Sequence, residues 1–104
     1  MSHAEAQLPE LLRRRLDLVG RMSQATSQMQ KWQQVRMSAE MEALRCELSG
    51  DALAAAQDLQ RDLHEAQCRA EEADSGMARC EALMAEIEHS LSETDLEIEA
   101  VSRG

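Results

Sequence analysis

From residue 52 to residue 101 the chain keeps an alternating four-and-three spacing without interruption. The stripe reads Ala52, Ala56, Leu59, Leu63, Ala66, Ala70, Ala73, Met77, Cys80, Met84, Ile87, Leu91, Thr94, Ile98 and Val101, and only Thr94 among these is not apolar. Between them lie mostly Glu, Asp, Gln and Arg. A strand alternates every two residues and cannot carry such a stripe, whereas a helix packed along one seam against another helix requires it. This half of the chain therefore reads as one helix. Gly76 falls inside the pattern, but Met77 and Cys80 keep the phase set by Leu63 and Ala70, so it reads as a weak point costing about 1 kcal/mol and not as a break.

Composition agrees with an all-helical chain. One Trp and no Phe or Tyr leave Leu, Met, Ala, Ile and Val to build the interior, and Pro9 is the sole proline. Good helix formers dominate, while the β-branched residues that strands favour are scarce. Apolar runs fall far short of the ~20 residues that span a bilayer, and the first fifteen residues lack the order of a signal peptide. Three cysteines without a CxxC pair do not make a disulfide framework. These features predict an intracellular, cytoplasmic protein with no membrane partner. A net charge of -9 opposes phosphate binding, which excludes nucleic acid as the expected partner. The one basic run, Arg13 to Arg15, fans around a helix and reads as solvated surface.

The first half is less regular. Leu8, Leu12, Val19, Met22 and Met29 hold one phase with gaps at Arg15 and Thr26; then Met37, Met41, Leu44 and Leu48 take up another. Such a shift predicts a stutter, which locally unwinds a coiled coil without ending the helix. Pro9 suits a first helical turn, so helix 1 is expected over 9–48 with a frayed arm at 1–8. Past residue 48 the second phase meets Asp51, Ala55 and Asp58 and the seam fails. Gly50 can take the left-handed geometry of a helix end, and Ser49 or Asp51 can cap the next start, so a turn is expected at 49–51 and helix 2 at 52–101.

Charge decides how the halves pair. Residues 1–50 carry seven basic and six acidic side chains, a net of +1, and residues 51–104 carry four and fourteen, a net of -10. Folding back sets the Arg-bearing half beside the acidic half, whereas a parallel rod dimer would align acid with acid. The expected fold is an all-α antiparallel helical hairpin in which paired positions add to about 100. Trp32 should then lie over Ala66 and Ala70, and Arg13, Arg14, Arg15 and Arg21 near Glu81, Glu86 and Glu88.

Two helices bury only one stripe each. Leu11, Leu16 and Leu18 on helix 1, with Leu83, Leu96, Ile98 and Val101 on helix 2, form a surplus apolar strip near the open end, expected to bind a second hairpin or another protein's helices and so complete a four-helix bundle. Chemistry-bearing motifs are sparse. His64 and Cys68 share a helical face but lack further converging zinc ligands, and Glu86-x-x-His89 lacks the second such pair that di-iron bundles need. No phosphate loop, HExxH, GxSxG or Cys/His nucleophile pattern is present. Five of the seven Met residues (Met22, Met29, Met37, Met41, Met84) are expected in the seams. No cofactor, metal or small-molecule substrate is expected. The sequence predicts a non-enzymatic coiled-coil scaffold subunit contributing a hairpin to a larger complex; a small bacterial secretion chaperone or escort is the alternative.

Overall fold

The computed structural model describes residues 3–49 and 56–103. Two helices, α1 (His3–Leu48, 46 residues) and α2 (Ala56–Arg103, 48 residues), pack against each other as an antiparallel hairpin. The hairpin divides into two compact units, one of Met1–Ser27 with Cys80–Gly104 and the other of Gln28–Arg79. Helix α1 starts earlier than Pro9 predicts. Residues His3 to Leu8 are already helical and Pro9 sits inside the helix. Its missing N–H removes one bond to the carbonyl four residues back, and the helix formers Ala4, Glu5, Ala6 and Gln7 carry the single turn beyond it. At the other end, the Ser49 N–H donates to the Arg45 carbonyl at 3.1 Å, closing the last turn. The rest of the expected turn, Gly50 and Asp51, and the first expected seam residue, Ala52, lie outside the described residues.

The α2 seam follows its sequence pattern throughout. Every expected position from Ala56 to Val101 is buried or half-buried, and Gly76 is a buried residue inside the helix. The α1 seam departs from its expected pattern. Leu11, Leu18, Ala25, Ala39 and Cys46 are buried at multiples of seven residues, with Trp32 half-buried in the same series and Leu8, Met22, Met29, Arg36 and Ala43 half-buried in the adjoining one. There is no stutter. Met37, Met41, Leu44 and Leu48 are exposed, as are Leu12 and Val19. The physical reason is period matching: α2 holds one phase, and a stutter in α1 alone would turn its stripe away from the partner.

Register also differs from expectation. Arg15 donates to Asp95 at 2.7 Å and Arg14 to Glu97 at 3.4 Å in one unit; Arg36 donates to Asp74 at 2.5 Å in the other. Paired positions thus add to 110 or 111, not 100, and Arg14 and Arg15 meet Glu97 and Asp95 instead of Glu81, Glu86 and Glu88. Arg15 and Arg36 both occupy seam positions three heptads apart, and their carboxylate partners are three heptads apart on α2. Arg15 is exposed and Arg36 half-buried, and the guanidinium of each reaches an aspartate on α2. Trp32 consequently passes Ala66 and Ala70 and lies on Gly76. A Cβ added at Gly76 would overlap the indole, 2.6 Å from Nε1, and Arg79 Cζ stands 6.0 Å from the ring centroid. The one aromatic meets a buried seam-flanking residue that has no side chain.

Each unit has its own interior. In the first, Leu18, Ala25 and Ile87 form a cluster flanked by Met22, Met84 and Leu91. Thr94 is buried there, and its hydroxyl donates to the Ser90 carbonyl at 2.8 Å, which satisfies the one buried polar side chain among the described residues. In the second the buried residues are small: Ala39, Cys46, Ala66, Ala73 and Gly76. Replacing Gly76 by Ala gains about 1 kcal/mol of helix propensity but drives a methyl into the indole, an overpacking cost of about 1–3 kcal/mol. Chemical denaturation should show net destabilisation with a shifted Trp32 emission; an unchanged spectrum would mean that the ring does not rest on this residue.

Candidate partner-binding surface

The open end of the hairpin is built from the two ends of the chain. Of the seven residues expected to form its binding strip, Leu11 and Leu18 turn inward and are buried, each 6% exposed, because both fall on the seven-residue series that faces α2. Their removal from the outer surface corrects the expected strip. Leu16 (73% exposed) and Leu96 (66%) point outward, Leu83 is exposed beside the seam, and Ile98 and Val101 are half-buried. Leu12 and Val19, assigned to the seam from sequence, join Leu16 outside at four-and-three spacing. The surface thus keeps its apolar character with a changed membership.

Leu11 and Val101 do come together. With Gln7, Glu10, Arg14 and Glu97 they line a groove of about 420 Å³ between the start of α1 and the end of α2. The Arg14–Glu97 pair crosses it, both side chains about half exposed, so the pair orients the helices more than it stabilises them.

A second outer face lies in the other unit. Met37, Met41, Leu44 and Leu48 repeat at four, three and four residues on the side of α1 away from its seam, all more than half exposed. Gln34, Met37, Ser38, Met41, Glu42 and Arg45 line a shallow groove there of about 560 Å³. The charges on this stretch pair along the helix: Arg36 with Glu40, and Arg45 with Glu42. Donation to Asp74, helped by the charges of Asp74 and Glu40, raises the Arg36 pKa. Donation from Arg45 to Glu42 lowers the Glu42 pKa and raises that of Arg45. The sequence contains this face, since the four residues form a coiled-coil run; their spacing alone does not say which of two seams they belong to.

The polar constellations take local partners. His64 Nε2 and Cys68 Sγ are 3.6 Å apart, His89 pairs with Glu93 at 3.0 Å rather than with Glu86, and Cys46 and Cys80 are buried thiols while Cys68 is exposed. Among the described residues no three metal-ligating side chains cluster, and no helix is long and apolar enough to cross a membrane. No protein-family model matches the chain, and neither a similar curated protein nor a similar solved structure was found. Leu18→Ala should cost about 2–5 kcal/mol by opening a cavity, while Leu16→Ala should stay within about 0.5 kcal/mol in the dissociated hairpin. Urea unfolding at low, fixed protein concentration separates the two; equal losses would contradict the inward and outward assignments.

Proposed function

We propose that the chain is a non-enzymatic assembly subunit whose hairpin packs against further helices to build a larger coiled-coil complex. The observation that carries this reading is the apolar, heptad-spaced outer face of α1. A hairpin satisfied by its own seam has no use for a second one, and an exposed apolar stripe of this kind marks a surface that another helix covers. The interior supports the same reading. Among the described residues no large side chain is fully buried, so the hairpin core is thin for a chain of 104 residues, and association would add the apolar burial it lacks.

Partner chemistry follows from charge. The acidic second helix disfavours a copy of itself and favours a neutral or basic helix, and four helices around one core is the arrangement that covers both outer strips. The three free thiols suit a reducing, cytoplasmic setting. Sedimentation of the protein with its native partners present should give a complex larger than one hairpin. Leu16→Glu combined with Leu96→Glu should weaken assembly at the open end with helicity by circular dichroism unchanged. A wild-type chain that sediments as a lone monomer and captures no helical partner would overturn the reading.

A further inference from the structure

We infer that the outer face of α1 in the Gln28–Arg79 unit is a homotypic seam, on which a second copy of this chain docks with its α1 parallel and in register. The inference rests on the assembly reading and names the occupant of one of its two surfaces. Met37, Met41, Leu44 and Leu48 are exposed and follow the spacing of a two-stranded seam. They lie opposite the side of α1 that α2 covers, so α2 does not obstruct an approaching helix. The shallow groove beside Met37 and Met41 is open to a facing side chain, and a two-fold axis along this face would place Met37 of each copy against the same groove of the other.

Charge selects both the occupant and the direction. Over residues 28–48 the basic side chains are Lys31, Arg36 and Arg45 and the acidic ones Glu40, Glu42 and Glu47, a net of zero, whereas α2 in the same unit, residues 56–79, carries three basic and six acidic side chains, a net of -3. Only the α1 face can meet its own copy without bulk repulsion. Glu40 and Glu47 flank the stripe on one side and Arg45 on the other. In a parallel pair, Glu40 of one copy faces the residue five positions further along the other, which is Arg45, and the contact occurs twice by symmetry. An antiparallel pair sets flanks of the same side together and brings carboxylates against carboxylates. The present partners of these groups, Arg36 for Glu40 and Glu42 for Arg45, are exposed pairs along one helix, which exchange at little cost.

Sedimentation equilibrium of the full chain alone provides the test. Wild type should form a reversible dimer, and Met41→Glu with Leu44→Glu should raise its dissociation constant by at least about tenfold, with circular dichroism reporting unchanged helix content because both side chains are exposed in the single hairpin. Glu40→Arg should weaken the dimer and Glu40→Arg with Arg45→Glu should restore it. In a Cys68→Ser background, Leu44→Cys should oxidise to a symmetric disulfide-linked dimer, as a parallel in-register seam requires. A wild type that stays monomeric when alone overturns the inference, as does a dimer indifferent to Met41→Glu with Leu44→Glu or a failure of the Leu44→Cys bridge. If self-association is lost instead with Leu16→Glu and Leu96→Glu, the homotypic seam is wrong while the assembly reading stands.

Discussion

The unbroken seven-residue period of α2 is the constraint on which the rest depends. A helix that keeps one phase from Ala56 to Val101 can be covered along its length only by a helix that also keeps one phase. That requirement, and not the hydrophobicity of individual residues, selects the face that α1 turns inward. It places Ala25, Ala39 and Cys46 inside and leaves Met37, Met41, Leu44 and Leu48 outside, although the second set is the more apolar. Side chains of larger transfer energy are thus surrendered to solvent so that a periodic contact can form, a loss of roughly 1.5–3 kcal/mol for each that could have been fully buried. The outer stripe is a direct product of this choice.

The two units solve the problem of a two-helix core differently. Near the open end, Leu18 and Ile87 supply bulk, Met22 and Met84 fill the irregular space beside them, and Thr94 enters without penalty by donating within its own helix. In the other unit the enclosed residues are Ala, Cys and Gly, which contribute little apolar area but allow close contact of side chains with backbone. Trp32 is the exception that proves the geometry, because its ring fits only where α2 presents Gly76. Arg36, half-buried, and Arg15, exposed, each donate to an aspartate of α2 at the edge of the seam.

How much of this was legible in the sequence differs between the helices. For α2 the pattern was clear, since one phase ran without a competitor and Gly76 was correctly read through. The antiparallel hairpin was also legible, from charge asymmetry and the failure of the seam near residue 50. In α1, two overlapping stripes compete, and a rule that picks the most apolar residues selects Leu12 and Val19 and, past residue 30, Met37, Met41, Leu44 and Leu48, all of which are exposed. Small residues are weak signals of burial although close-packed helices prefer them. The same ambiguity assigned Leu11 and Leu18 to the outer strip when they belong to the seam. Register was not legible because the midpoint of the connection is a poor guide to it; the informative residues were Trp32 and Gly76, one residue too large for most positions and one with room for it.

A heptad seam resembles a ruler whose marks are all alike: sliding one helix by seven residues restores every inward-facing position. The repeated arginine–aspartate pairs do not prevent this slide. Moved one way, Arg36 would find Glu81 in place of Asp74 while Arg15 met Ser102; moved the other, Arg15 would find Glu88 in place of Asp95 while Arg36 met Gln67. Each displaced alignment keeps one acid. Trp32 is the mark that differs from the others, for the same displacements would set its ring against the side chain of Leu83 or Arg69 in place of Gly76. A single aromatic in 104 residues thereby acts as the index that makes an otherwise degenerate alignment unique, and a chain with a second Trp–Gly coincidence one heptad away would lose that uniqueness.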